Sequence, residues 1–400
     1  MVFFKFPSDD ETDGTRQGTD FVGAAARRAM DERRLPDPFR SLQGETIETA
    51  AQWTTARRPE IVETFRELVF GRAPAGADRV RFRAGGDIPA PGGAAAALRR
   101  VEATYEGPGG EGRFTLDVYM PMAGAAPHPV FLFLDNRQSR RADAAASEFW
   151  PWPSIVSRGY AAAVIDIEEV DPDEHDGFRN GVHGVYEPDP RRRGPDAWGT
   201  IAAWAWSASR AMDYFEAAPE LDASRVALVG HSRCGKTALW AGASDPRFAM
   251  VVSNNSGCTG AAVSRGKLGE TIRDINERFP HWFADRYKTF NGREDDLPVD
   301  QHLLLAAVAP RHLYVTSATV DEWADPASEF LSLQAAEPVF RLLGKPGLGL
   351  ADMPAPDAPA HSDGMAYHLR SGAHDLTRYD WERFLDYADR YVRGTDAVTE

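Results

Sequence analysis

Short apolar runs alternate with amphipathic stretches along most of this chain. The runs Phe114–Met120, Val130–Asp135, Ala161–Ile167, Val226–Gly230, Met250–Ser253, Leu313–Ser317 and Tyr367–Arg370 are mostly bounded by Gly, Pro or Asp, which predicts buried strands. Thr200–Phe215 and Lys236–Ala243 lie between such runs and carry apolar residues at helical spacing. This alternation predicts an α/β fold, a three-layer sandwich with a mostly parallel central sheet and helices on both faces. Glu60–Phe70 has the same helical spacing and stops at Gly71, so a helix is expected there. Residues 344–364 are rich in Pro, Gly and Ala and read as a long surface loop. Residues 1–34 are polar and mixed in charge, with a possible short helix near Phe21–Met30; they read as a leader segment ahead of a single catalytic domain over 35–400. No internal repeat is visible.

Composition narrows the partners more than the chemistry. A hydrophobic content of 43% over 400 residues is ample for a large core. The 60 acidic and 45 basic side chains leave a formal charge of −15, which repels nucleic-acid phosphate and anionic lipid. Neither nucleic acid nor membrane is an expected partner, although a local Arg and Lys cluster can still make an anion-binding pocket. Only Cys234 and Cys258 are present, so no disulfide framework is expected and either redox compartment fits. The apolar run at Met1–Pro7 is too short for a signal peptide, which points to the cytoplasm for the chain as given. Oligomeric state is not written in the pattern.

The segment Gly230-His231-Ser232-Arg233-Cys234-Gly235-Lys236-Thr237 joins a β-prone run, Arg225–Val229, to the helix-prone Lys236–Trp240. It therefore places Ser232 on a strand-to-helix turn. In serine hydrolases such a turn exposes the nucleophile above the sheet, where the helix N-terminus stabilises the developing oxyanion. The match to G-x-S-x-G is imperfect, because Cys234 stands two after the serine and Gly235 one further on. The same residues also satisfy G-x-x-x-x-G-K-T, a phosphate-cradling loop. That reading needs a later apolar strand ending in Asp, and the best such strand, Ala162–Asp166, comes earlier.

The hydrolase reading requires an acid and then a histidine downstream. Asp321-Glu322-Trp323-Ala324-Asp325 follows the run ending at Ser317, and Ser371-Gly372-Ala373-His374 follows the run ending at Arg370. His374 is the expected base and Asp321 the expected acid, with Glu322 and Asp325 sharing the same loop.

These residues resemble the glucuronoyl esterases, carbohydrate esterase family fifteen, whose signature is Gly-Cys-Ser-Arg-x-Gly-Lys; here His231 replaces the first cysteine. The likeness extends to Arg57–Glu60, Val118–Pro121, Trp198–Ile201, Ala203–Trp206, Arg210–Tyr214 and Ser253–Gly257, and covers roughly residues 35–395. It implies an α/β-hydrolase that cleaves esters of glucuronic acid on xylan with lignin alcohols, without a cofactor. It also implies that Arg233 stabilises the oxyanion and that Lys236, Glu270 and Trp323 form the sugar pocket. Members are often secreted or periplasmic. Fungal relatives carry their triad acid as Glu where this chain has Asn255, which moves the acid to Asp321, and His231 precludes a disulfide that some relatives make. An esterase for another carbohydrate ester, such as an acetylated sugar, and a sugar-binding relative without catalysis are the alternatives.

Asp171-Pro172-Asp173-Glu174-His175-Asp176 lacks regular ligand spacing and reads as a solvated loop, with no metal assigned. Trp204 and Trp206 read as core packing.

Overall fold

The computed structural model describes residues 24–93, 95–139 and 147–393. Strands are β1 Val80–Ala84, β2 Ile88–Pro89, β3 Ala96–Gly107, β4 Gly110–Pro121, β5 His128–Asp135, β6 Ala161–Asp166, β7 Leu221–His231, β8 Met250–Asn254, β9 His312–Ala318, β10 Ala360–Ser362 and β11 Met365–Arg370. Helices are α1 Ala24–Glu32, α2 Ala50–Gln52, α3 Arg58–Phe65, α4 Trp152–Ser157, α5 Gly181–Tyr186, α6 Thr200–Ala217, α7 Arg233–Ser244, α8 Ile272–Arg278, α9 Gln301–Ala306, α10 Pro326–Leu342 and α11 Arg378–Tyr391. All of the strands join one sheet, ordered β1-β3-β4-β6-β5-β7-β8-β9-β11-β10, with β2 paired to β3.

The predicted parallel core is present: β6, β5, β7, β8, β9 and β11 pair in parallel. Every residue of β5, β6 and β8 is buried, as expected for strands covered on both faces. Alternate residues divide between two cores. Val130, Leu132, Leu134, Val226 and Leu228 face the layer that includes α6, α7, α9 and α10. Phe131, Phe133, Ala227 and Val229 face α4 and α11. Each fully buried Val, Leu or Phe among them stabilises the fold by roughly 1.5–3 kcal/mol, so the sheet is a rigid platform for the loops at its strand ends.

Beyond that core the pattern was incomplete. β4 pairs antiparallel with β6 and β3, and β1 with β3, so one flank of the sheet is an antiparallel extension. The helix expected over 60–70 is longer: α2, a π turn at Trp53–Arg57, α3 and a second π turn at Arg66–Phe70 run together to Gly71, whose φ is 86°. Residues 344–359 form the expected loop, which closes on β10. Phe21–Gly23 and the rest of the leader before them lie outside the described residues. α1 begins at Ala24 and packs through Ala26 on Val263 and Leu331. Among the described residues no helix is long and apolar enough to cross a membrane.

Candidate active site

All the candidate side chains lie beyond the carboxyl ends of parallel strands, where open α/β sheets place their ligand crevice. Ser232 follows β7 directly with φ 58° and ψ −121° and is the N-cap of α7. A non-glycine residue in that conformation is strained and held by its surroundings. Those surroundings explain the motif's spacing: a Cβ on Gly230 would lie 1.9 Å from the Cys234 carbonyl oxygen, and one on Gly235 would lie 2.9 Å from the Ser256 Cβ. The glycine therefore belongs at 235, where α7 touches the loop after β8. Cys234 points into the core instead, where burial pushes its thiol well above the usual range.

His374, in the loop after β11, directs Nδ1 at Asp321 Oδ2 over 2.6 Å. Asp321 follows β9 and is 6% exposed. The other two acids of its loop are occupied differently or face away. Asp325 caps α10, with its carboxylate accepting from the Ser328 N–H at 3.1 Å and the Leu268 N–H at 2.7 Å, and Glu322 is exposed. Asn255 donates from Nδ2 to Asp321 Oδ2 at 3.3 Å. Asn255, on the loop after β8, thus touches a carboxylate on the neighbouring loop.

The seven residues singled out from the sequence, Ser232, Arg233, Lys236, Glu270, Asp321, Trp323 and His374, line one cavity of about 260 Å³. This is small for a ligand pocket. Arg233 is half-buried, ion-paired with Asp173, with its guanidinium 5.1 Å from the Trp282 ring centre. Asp173 also accepts from His281 Nε2 at 3.1 Å and Trp282 Nε1 at 2.7 Å. The solvated-loop reading of 171–176 is corrected here: Asp171 is buried and accepts from Thr200 Oγ1 at 2.7 Å, and Asp173 anchors the site arginine. Sequence reasoning missed Arg278, Phe279 and Trp282, which line the cavity, and Asp173, which pairs with Arg233, because only the fold brings them there.

Lys236 is buried, and its ammonium donates to the carbonyls of Ser256 at 2.5 Å and Cys258 at 2.7 Å, with Glu270 3.8 Å away. Held this way it does not have the freedom of a phosphate-loop lysine. Trp323 is 48% exposed at the pocket rim, with the Arg278 guanidinium 5.5 Å from its ring centre. Trp204 is fully buried and Trp206 nearly so, as core packing requires.

Residues 104–344 match the family model described as glucuronyl esterase, fungi. A curated carbohydrate esterase of an unknown prokaryotic organism is 38% identical, covering 90% of each chain. The chain belongs to the glucuronoyl esterase family. The solved glucuronoyl esterase from Solibacter usitatus superposes with a TM-score of 0.82 at 39% identity, covering 89% of this chain and 97% of that one. The glucuronoyl esterase from Teredinibacter turnerae gives a TM-score of 0.82 at 29% identity, over 92% and 91% of the two chains. These neighbours share the α/β-hydrolase fold expected from the sequence. Within this family member Cys234 and Cys258 are both free and buried.

A buried carboxylate that no motif announced stands behind the pocket. Glu329 on α10 accepts from the Gly257 N–H at 2.8 Å and the Ser317 hydroxyl at 2.6 Å, tying together the loops after β8 and β9. Burial raises its pKa from 4.5 to about 7 against the opposing effect of those hydrogen bonds, and the Asp321 charge adds to the rise. Because the folded value is the higher, the native state keeps a proton that the unfolded chain releases across this window. The stabilisation is full below about pH 4.5 and falls by about 3 kcal/mol as the pH rises to about 7. Glu329→Gln is expected to remove this slope from urea unfolding measured across the same window; an unchanged slope would contradict the assignment.

Proposed function

We propose that this protein is a serine carboxylic ester hydrolase that cleaves esters of (4-O-methyl-)glucuronic acid, as in linkages between lignin and glucuronoxylan. The observation that carries this reading is the hydrogen bond from His374 to Asp321 at 2.6 Å, in a cavity shared with Ser232 and the basic pair Arg233 and Lys236. Relatives point to the same substrate class: enzymes from Wolfiporia cocos and Schizophyllum commune, 28% and 29% identical over 78% of this chain, are named 4-O-methyl-glucuronoyl methylesterases.

In the proposed reaction His374 takes the proton as Ser232 Oγ attacks the ester carbonyl, and Asp321 holds the ring in the required tautomer and supports the imidazolium. The tetrahedral oxyanion forms beside the start of α7, where the helix N-terminus and the Arg233 guanidinium offer positive charge. His374 returns the proton to the leaving alcohol, leaving a uronoyl ester on Ser232. Water, activated by the same histidine, then releases the free acid and restores the serine. Every step uses side chains of this chain. Lys236 and Glu270 bind sugar hydroxyls in this reading, and the Trp323 face packs on the pyranose ring. Arg233 would exchange part of its pairing with Asp173 for the substrate.

A panel comparing benzyl glucuronate, methyl 4-O-methyl-glucuronate and acetylated xylose tests the substrate class. The expected result is turnover of the two uronate esters with kcat/KM at least about a hundredfold above the acetyl ester, the discrimination that unpaired buried polar groups can impose. Preference for the acetyl ester would favour the alternative carbohydrate esterase. Binding of uronate without turnover would favour a non-catalytic sugar binder.

A further inference from the structure

His231 and Asn255 lie on one line of hydrogen bonds beneath the site. Arg137, in the loop after β5, donates from one guanidinium nitrogen to His231 Nε2 at 3.2 Å and from another to Asp375 Oδ1 at 2.6 Å. A guanidinium has no acceptor, so His231 Nε2 must accept and the ring proton must sit on Nδ1. That proton is given to Asn254 Oδ1 at 2.6 Å. The orientation of the Asn254 amide is thereby set, and its Nδ2 donates to Thr316 Oγ1 at 2.6 Å. The Thr316 hydroxyl donates to Asn255 Oδ1 at 3.4 Å, and Asn255 Nδ2 donates to Asp321 Oδ2 at 3.3 Å. The same oxygen accepts from His374 Nδ1.

This chain of bonds has a direction fixed at both ends. Arginine can only donate and an ionised carboxylate can only accept, so one tautomer and two amide orientations follow without choice. The intermediate side chains are no more than 1% exposed, where hydrogen bonds are strong and a missing partner is costly. Burial also keeps His231 neutral, by pulling its pKa well below the usual value. It can therefore sit with its ring centre 4.6 Å from that of His374 without competing as a cation.

We propose that Arg137, His231, Asn254, Thr316 and Asn255 are positioning residues that together orient the Asp321 carboxylate, and through it the His374 ring. The proposal rests on the roles given above to Ser232, His374 and Asp321. Its chemical effect is specific. An N–H on Asp321 Oδ2 shares that oxygen's electron density and weakens its hold on the imidazolium; losing it makes the carboxylate a stronger acceptor and raises the pH at which His374 releases its proton. The charged groups around this pair are Arg137 and Arg370 on the side of His231, with Asp375 bound to Arg137, and Glu329 behind Asp321. Changing Thr316 alters none of them.

The test compares Thr316→Val, which at nearly constant shape deletes the hydroxyl that holds the Asn255 amide with Nδ2 toward Asp321, with Thr316→Ser, which keeps it. The readout is the rate of Ser232 labelling by a fluorophosphonate across pH, which reports nucleophile competence whichever ester the enzyme prefers. A wild-type protein that fails to label would overturn the site assignment itself, a distinct outcome. Thr316→Val is expected to label about tenfold more slowly, with its acid limb moved upward by about half a pH unit, a fraction of the loss caused by deleting a triad acid. On a uronate ester kcat should fall while KM changes less than about twofold. Thr316→Ser should restore both rate and limb. A folded Thr316→Val with the wild-type rate and limb would overturn the proposal, as would slowing without a limb shift. If Thr316→Val does not fold, Asn255→Gly decides, because it removes the last donor without changing charge and tolerates the backbone there, whose φ is 47°. An upward limb shift supports the proposal and a wild-type profile overturns it.

Discussion

Ser232→Ala is expected to lower kcat on benzyl glucuronate by about 10⁴-fold or more, with the uronate still bound. Deleting the nucleophile of a serine hydrolase leaves only what the oxyanion site and substrate binding supply, and that remainder is small. The fold should survive the change. The strain at φ 58° is imposed by β7 and α7, and the Ser232 backbone keeps its bonds, its N–H to the Asn254 carbonyl at 2.9 Å and its carbonyl from the Gly235 N–H at 2.9 Å. Thermal unfolding and uronate binding, by calorimetry, separate lost chemistry from lost structure. Retained turnover in a folded Ser232→Ala protein would remove Ser232 from the reaction.

The second large effect distinguishes the three acids of one loop. Asp321→Ala is expected to lower kcat by about 10⁴-fold, the scale seen when a triad acid is removed and the histidine loses its tautomer and support. Glu322→Ala, at an exposed side chain, should stay within about twofold of wild type, as surface substitutions do. Asp325→Ala should lower stability instead, by about 1–2 kcal/mol for the lost helix cap, because its carboxylate caps α10 and holds the Leu268 N–H. Steady-state kinetics and urea unfolding of the three variants check this, and a kcat loss larger in Asp325→Ala than in Asp321→Ala would reverse the assignment.

The fold was legible where strands are uniformly apolar. β5, β6, β8 and β11 are buried throughout, β9 in all but its first residue, and all five read as short apolar runs in the sequence. β3 was not, because its outward positions carry Arg99, Arg100, Glu102 and Glu106 and its buried ones alternate with them, so no continuous run marks it. α11 was legible but went unread: Trp381, Phe384, Leu385 and Ala388 are buried at i, i+3, i+4 and i+7 with charged residues between them, which is the amphipathic helix pattern itself. The proposed nucleophile, base and acid, Ser232, His374 and Asp321, could be singled out because a serine hydrolase constrains their order along the chain, and the fold brings all three to one cavity. Their support could not. Asp173 reaches Arg233 from 60 positions away and Arg137 reaches His231 from 94, and no local spacing encodes such contacts. His231 and Asn255 were visible as departures from the family pattern, yet their meaning depends on Thr316, which only the pairing of β8 with β9 brings between them.

The most direct measurement of the central claim is rapid acid quenching of the wild-type protein with benzyl glucuronate, followed by mass spectrometry of its peptides. A glucuronoyl group on the peptide containing Ser232, formed and lost at rates that match turnover, is the predicted result. Turnover with no adduct on that serine, or with the adduct on another residue, would contradict it.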